Sequence, residues 1–246
     1  LIFDNNDRPG IMLSSAIKKY ADFYGVACGK ENVLFTNNDT AYETAISLNN
    51  KGIKINAIID IREQNKSDLT NEINKAGIKI YNSYTVINTK GYKKINKITI
   101  MKLSKDGKTV TDSKIDINCD CLGVSGGWTP AVHLFTQSGG KLKFDDNDNI
   151  FIPNKYPSDQ LSIGSCNGNL ELEDIISNIN VSLKNFLKID KTNFENLKIN
   201  SSKSKSKRNI WLLPSNKTVS KTKAFVDFQN DATAKDIKLA LREGFR

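Results

Sequence analysis

The chain has 246 residues, of which 38% are hydrophobic and 26% charged, a balance typical of a globular protein. It contains no apolar run of the roughly 18 residues that a transmembrane helix requires, and no secretory signal pattern, so neither is predicted. The net charge of +9 is uneven, because residues 188–223 hold ten basic and two acidic residues whereas the rest holds 26 and 25. Since 31 of the 36 basic residues are Lys, the excess indicates a solvated segment and no nucleic-acid surface.

The cysteine and histidine content argues against a metal centre. The single histidine, His133, has no partner at ligand spacing, and no Ser–His–Asp or Cys–His set is recognisable, so no catalytic residue and no metal ligand are predicted. The cysteines are too few for a disulfide scaffold, which predicts reduced thiols and a cytoplasmic protein. They are Cys28, Cys119, Cys121 and Cys166.

The first half of the chain alternates strand and helix patterns. Residues 32–36 form an apolar run typical of a buried strand, and residues 39–48 repeat apolar side chains at helical spacing behind Asp39, a favourable N-cap. A strand at 54–61, a helix at 69–76 and a strand at 78–81 follow. This order predicts a parallel α/β unit.

The pattern changes after residue 82. Three β-type runs separated by turn signals, at 83–88, 95–103 and 109–118, predict an antiparallel meander. The elements predicted after it are a strand at 120–124, a helix at 131–138, short strands near 141–144, 150–152 and 161–164, an amphipathic helix at 170–187 and a helix that begins after Thr233. The chain starts at Leu1 in a strand-like segment and ends in a helical pattern, which predicts a piece of a longer polypeptide.

The turn at residues 36–41 lies where a dinucleotide-binding fold has its glycine-rich phosphate loop. It has no glycine, and Asp39 places a carboxylate where phosphates would lie. Asp60 nevertheless lies at the end of the next strand, where such folds bind a ribose. Both a structural scaffold and dinucleotide binding therefore remain open for this turn.

Two later strand-to-helix turns are candidate cofactor sites, because short side chains leave backbone N–H groups accessible. The same patterns also occur in tightly packed turns without a ligand. Arg8 is a further candidate, since its guanidinium suits a phosphate, although it would equally pair with a surface carboxylate. The candidate cofactor-binding residues are Arg8, Gly123, Ser125, Gly126, Thr129, Gly164, Ser165 and Cys166.

Several long strings resemble the alpha subunit of heterotetrameric sarcosine oxidase. They are LIFDNNDRPGIML, VLFTNNDTAYETA, LGVSGGWTPAVHLFTQSGGKLKFDD and KAFVDFQNDATAKDIKLALREGF. The resemblance covers the whole chain apart from residues 188–223. It implies nested Rossmann-like domains of the pyridine nucleotide–disulfide reductase type, followed by a linker and the start of a small helical domain.

The implied boundaries are as follows. Residues 1–13 and 119–187 belong to an interrupted FAD/NAD(P)-binding domain, and residues 14–118 form an inserted nucleotide-binding-like domain with the meander. Residues 188–223 are a basic linker, and residues 224–246 begin the helical domain. That last segment has no cysteine for an iron–sulfur cluster, and Cys166 replaces the aspartate that reductases keep against the flavin.

The resemblance also implies a function. The complex would oxidise sarcosine to glycine with oxygen as acceptor and transfer the one-carbon unit to tetrahydrofolate, which a missing downstream domain would bind. NAD would belong to this subunit, whereas FAD and FMN would be held mainly by the beta subunit, with gamma and delta subunits completing a heterotetramer. A related opine or proline dehydrogenase and a non-catalytic nucleotide-binding scaffold remain alternatives.

Overall fold

A five-stranded parallel sheet organises the first part of the chain in the computed structural model, which describes residues 1–63, 67–157, 159–188, 210–215 and 221–245. The strand order is β1-β8-β2-β3-β4, and every neighbouring pair runs parallel. The strands are β1 (Ile11–Leu13), β2 (Asn32–Thr36), β3 (Ile55–Asp60), β4 (Lys79–Asn82) and β8 (Cys121–Ser125). The connecting helices are α1 (Ser14–Tyr24), α2 (Thr40–Asn50) and α3 (Asp68–Lys75).

The two faces of the sheet are covered by different layers. An antiparallel meander of β5 (Tyr84–Lys90), β6 (Lys97–Leu103) and β7 (Val110–Asn118) follows β4. Because successive side chains of a strand point to opposite faces, Leu34 packs with the helices whereas Val33 and Phe35 pack with the meander. All three side chains are fully buried, so a hydrophobic core lies on each face of the sheet.

The predicted α/β class and the meander are confirmed. Strands β2 to β4 and helices α2 and α3 lie within one or two residues of their predicted bounds, because buried apolar runs and helical spacing both carry strong signals. The sequence analysis placed no element at residues 14–31, where the structure forms α1.

The sheet corrects the predicted division at residues 13/14 and 118/119. Strands β1 and β8 were assigned to the interrupted domain, but they complete the sheet of the inserted one. Residues 11–13 pair with 122–124, and residues 32–36 pair with 121–125 in an unbroken parallel register. Backbone hydrogen bonding therefore unites the segments that the prediction separated.

The chain divides into two compact units, residues 1–127 with 203–246 and residues 128–202. The second unit contains α4 (His133–Gln137), the hairpin β9 (Lys141–Asp145) and β10 (Ile150–Lys155), and α5 (Leu172–Leu187). The predicted strand at 161–164 is wrong, because a 3₁₀ turn begins at Gly164. Gly164 has a φ of +78°, which is incompatible with a continuing strand.

The predicted linker contains an ordered segment at residues 210–215. The Ile2 N–H donates to the Trp211 carbonyl (2.7 Å), and the Leu213 N–H donates to the Ile2 carbonyl (2.9 Å). Leu213 is buried in the core beneath the meander. The apolar string IWLLP thus anchors part of a segment predicted as solvated, while residues 189–209 and 216–220 lie outside the described residues.

The C-terminal section, residues 221–245, also belongs to the first unit. It contains β11 (Phe225–Asp227), β12 (Ala232–Thr233) and α6 (Ala234–Arg242). The predicted cap is confirmed, because the Thr233 hydroxyl oxygen accepts from the Asp236 N–H while the Asp236 carboxylate accepts from the Thr233 N–H.

Candidate functional site

The carboxyl edge of the parallel sheet is the expected ligand site of such a fold. At this edge lies the turn between β2 and α2, residues 36–40. Side-chain oxygens of this turn accept hydrogen bonds from its own backbone N–H groups. The Asn38 N–H donates to Thr36 Oγ1 (3.0 Å), and the Thr40 N–H donates to Asn38 Oδ1 (3.0 Å). Two N–H groups near the helix start, where a dinucleotide fold holds its pyrophosphate, are therefore already bonded.

Ser125 and Gly126, two predicted cofactor contacts, lie against this turn. The side-chain amide of Asn37 donates to the Gly126 carbonyl (3.1 Å), and that of Asn38 donates to the Ser125 carbonyl (3.1 Å). The hydroxyls of Ser125 and Thr40 are 2.9 Å apart. The structure thus brings the end of β8 and the β2–α2 turn together through direct hydrogen bonds.

A buried ionic network, here called the Arg62 network, occupies the neighbouring position at the end of β3. It consists of Asp39, Tyr42, Asp60 and Arg62. Arg62 Nη1 lies 2.8 Å from Asp39 Oδ1, and Arg62 Nη2 lies 2.7 Å from Asp60 Oδ2. The Tyr42 hydroxyl donates to Asp60 Oδ2 (2.9 Å), and the Arg62 N–H donates to Asp60 Oδ1 (2.8 Å). Arg62 is only 1% exposed.

Burial sets the electrostatics of this network. It raises the pKa of the Asp60 carboxyl, and the hydrogen bonds and charge of Arg62 only partly offset that rise. For Arg62, burial lowers the pKa, but the two carboxylates outweigh it and the net shift is upward. Burial and the nearby Asp60 carboxylate also raise the pKa of Tyr42. The guanidinium is therefore held charged between two carboxylates beside a neutral phenol.

The acidic side chains at this edge of the sheet have partners within the protein. Asp60 occupies the ribose-binding position of the fold, yet both of its carboxylate oxygens are engaged by Arg62 and Tyr42. Asp39 makes no capping hydrogen bond to α2, contrary to its predicted role, because its carboxylate pairs with Arg62. Arg62 was not among the residues predicted from the sequence, where it lies two positions after Asp60 in the string IIDIR.

Other predicted contacts have partners within the first unit. A Cβ on Gly123 would lie 2.6 Å from Leu34 Cδ2 and 2.9 Å from Ile17 Cδ1, so this glycine allows α1 to pack on the sheet. Arg8 donates from Nε to the Thr89 hydroxyl (3.2 Å) and from Nη1 to the Gly91 carbonyl. Neither residue lies free for a ligand.

The remaining predicted contacts belong to the second unit. Thr129 is exposed, and Gly164, Ser165 and Cys166 form the start of the 3₁₀ turn. Cys166 Sγ donates to the Ile163 carbonyl (3.0 Å). A Cβ on Gly164 would meet only Ile175, at 3.6 Å, so packing alone does not require a glycine here, although its φ of +78° does.

The described residues contain no group of three or more His, Cys, Asp or Glu side chains arranged to hold a metal ion. Among the same residues, no helix combines the length and the apolar character needed to cross a bilayer.

Known proteins that are similar to this chain include sarcosine oxidase alpha subunits from two bacteria. Over 256 aligned residues and 100% of this chain, it is 30% identical to sarcosine oxidase subunit alpha of Rhizobium meliloti (strain 1021), of which it covers 24%. The same subunit of Corynebacterium sp. (strain P-1) is 28% identical over 99% of this chain and 26% of its own length. The chain thus spans about a quarter of the length of the curated relatives that it matches.

A family profile and a solved structure add to this comparison. Residues 221–246 match the family described as the sarcosine oxidase A3 domain. A flavoprotein disulfide reductase, RclA from Escherichia coli, aligns with 76% of this chain and 41% of its own, with a TM-score of 0.50 and 14% identity. That likeness supports the Rossmann-like α/β fold. The predicted resemblance is therefore confirmed: from end to end, the chain is similar to one section of sarcosine oxidase alpha subunits.

Proposed function

We propose that the chain is part of the alpha subunit of a flavoprotein oxidoreductase that converts sarcosine to glycine and transfers the one-carbon unit to tetrahydrofolate. The observation that carries the proposal is the similarity to sarcosine oxidase alpha subunits along the whole chain, at 28–30% identity. The A3 profile at residues 221–246 supports it from a second, shorter segment.

Within such a complex, this section contributes dinucleotide binding and subunit assembly but no catalytic side chain. Amine oxidation takes place at a flavin held mainly by the beta subunit, with oxygen as acceptor, and gamma and delta subunits complete a cytoplasmic heterotetramer. The cytoplasmic location rests on the four cysteines, all of which are free thiols.

NAD bound to this subunit lies away from the β2–α2 turn. The Arg62 network holds both carboxylates that face the expected nucleotide position, and a phosphate placed beside Asp39 would meet a negative charge. We place the cofactor contacts of this chain at Thr129 and at the 164–166 turn. Gly123, Ser125, Gly126 and Arg8 have packing or hydrogen-bond partners that account for them.

Cofactor analysis of the complete complex tests this assignment. The full alpha subunit is co-expressed with its partner chains, and the extracted nucleotides are identified by mass spectrometry. We expect NAD, FAD and FMN, with less NAD in a Gly164→Ala variant. Gly52→Ala is the matched control, because Gly52 also has a positive φ (+74°) and has no neighbour within 4 Å of an added Cβ.

The results distinguish cofactor binding at the 164–166 turn from a purely structural role of that turn. Reduced NAD content in Gly164→Ala but not in Gly52→Ala supports cofactor binding there. Equal content in both variants shows that the turn is scaffold only. A complex that contains no NAD contradicts the nucleotide-binding part of the proposal.

A non-catalytic scaffold is the second candidate, and one observation favours it. Asp39 and Asp60, the carboxylates at the expected dinucleotide position of the first unit, both pair with the protein's own Arg62, which favours a role in assembly. The absence of any nucleotide in the purified complex, together with normal subunit assembly, would support this alternative.

A further inference from the structure

The N-terminal string DNNDR, residues 4–8, has no role in the proposed function, yet two of its polar side chains are buried. Asp4 is 3% exposed and Asn6 is 6% exposed. Buried polar groups are costly unless they are hydrogen-bonded, so their partners indicate what the string does. Those partners lie about 80 and about 220 residues away along the chain.

One set of partners is the start of the C-terminal section. The Asp4 carboxylate accepts from the Lys223 N–H (2.8 Å), and the Asn5 N–H donates to the Lys223 carbonyl (2.7 Å). The Asn6 side chain accepts from the Phe225 N–H (2.8 Å) and donates to the Phe225 carbonyl (2.8 Å). Asn6 therefore uses its side-chain amide to bind the backbone N–H and carbonyl of one residue, as a neighbouring strand would do with its backbone.

The same contact is extended by charge and by packing. The Asp7 carboxylate pairs with the Lys223 ammonium group, which also lies 5.3 Å from the centre of the Phe225 ring. Ala224, between these two residues, is 2% exposed, so the docked segment fits closely. An extended peptide with a cation, a small residue and an aromatic ring in succession suits this surface.

The opposite partners of the string fix it to the meander. The Asn5 side-chain amide donates to Asn88 Oδ1 (2.9 Å), and the Thr89 hydroxyl donates to the Asn5 carbonyl (2.9 Å). Arg8 adds its hydrogen bonds to Thr89 and Gly91 at the end of β5. Residues 4–8 thus lie between the meander and the C-terminal section and bond to both.

We propose that residues 4–8 are a docking segment that fixes residues 223–225, and with them the start of the A3-like section, on the α/β unit. The inference is independent of the proposed function, because it rests on contacts within the first unit. It assigns Arg8 and its neighbours to the positioning of the C-terminal section, with no ligand required.

Amide hydrogen exchange of the full alpha subunit, in complex with its partner chains, tests the proposal. Asn6→Ala removes both bonds to Phe225, and Asp4→Ala removes the acceptor of the Lys223 N–H. Loss of such bonds is expected to speed exchange of the Phe225 amide in the first variant and the Lys223 amide in the second by about tenfold or more. The Leu213 amide, bonded to Ile2, should keep its protection.

Asn71→Ala, an exposed substitution in α3, is the control and should change none of these rates. Unchanged exchange at residues 223 and 225 in folded Asn6→Ala and Asp4→Ala chains would overturn the proposal. Loss of protection throughout the parallel sheet in both variants would also overturn it, because residues 4–6 would then be part of the folding core and not a docking segment.

Discussion

At the scale of single residues, Arg62 connects two acidic side chains at the carboxyl edge of the sheet. Its guanidinium joins Asp39, on the turn after β2, to Asp60, at the end of β3. Removing one partner of a buried ion pair is strongly unfavourable, because the other charge stays buried without compensation. Two carboxylates depend on this one cation, so Arg62 contributes to the stability of the fold.

Arg62→Met should therefore lower the free energy of unfolding at pH 7 by about 3–5 kcal/mol, measured by urea denaturation. The pH dependence of the deficit has a definite sign. Burial already raises the pKa of Asp60, and loss of the neighbouring Arg62 charge raises it further, so the folded variant gains stability relative to the unfolded chain as Asp60 becomes protonated. The deficit relative to the parent chain should shrink as the pH falls from 7 towards 5.

The control for this measurement is Arg242→Met. Arg242 pairs with Glu243 at an exposed position, with side chains 74% and 53% accessible, and its loss should change stability by less than about 0.5 kcal/mol. A deficit in Arg62→Met that is no larger than that of the control, or one that grows on acidification, would contradict the assigned role of the network.

Some features of this site were predicted from the sequence, but Arg62, which connects its two carboxylates, was not. The absence of glycine at 36–41 and the position of Asp60 were readable, because each follows a recognisable buried strand. Arg62 was not recognised, because an arginine just after a strand is ordinarily expected at the surface. Its burial depends on two carboxylates from different turns, a tertiary arrangement that linear spacing does not reveal.

At the scale of elements, the contact between α1 and the sheet depends on Gly123 in β8. An added Cβ would collide with Leu34 Cδ2 and Ile17 Cδ1, at 2.6 and 2.9 Å, in a core with no free space. The same glycine appeared in the sequence analysis as a candidate cofactor contact, since a glycine needed for packing and one needed for a ligand look identical in a sequence.

Gly123→Val is expected to destabilise the first unit by about 1–3 kcal/mol through overpacking. For a chain of this size that corresponds to a fall in Tm of roughly 2–12 °C, measurable by calorimetry. Lys19→Ala, on the exposed side of α1, is the control and should leave Tm nearly unchanged. A Gly123→Val chain that melts with the parent would show that α1 is not packed as described.

The elements that were not predicted from the sequence lack a strong local signal, for different reasons. β1 is only three residues long, and its register is set by β8, more than 100 positions away. Residues 210–215 are apolar but are surrounded by Lys and Ser, so composition averaged over the segment concealed them. Long buried runs such as β2 and β3 were predictable, because local hydrophobicity alone defines them.

At the scale of the whole molecule, two long-range associations hold the first unit together. Residues 210–213 dock on Ile2, and residues 223–225 dock on the segment 4–8, so both of these later segments contact the N-terminal residues. The α/β unit and the A3-like section are therefore one body. This arrangement suits a scaffold that presents its C-terminal section in a fixed position.

Anaerobic reduction of the complete complex is the most direct test of the proposed function, a role in a sarcosine-oxidising flavoprotein. Purified complex, with the full alpha subunit and its partner chains, is mixed in separate samples with sarcosine, proline and an opine, while the visible absorbance of oxidised flavin is followed. We predict that sarcosine rapidly bleaches the flavin absorbance and that the other two amines change it little. Bleaching by proline or the opine without a response to sarcosine would contradict it.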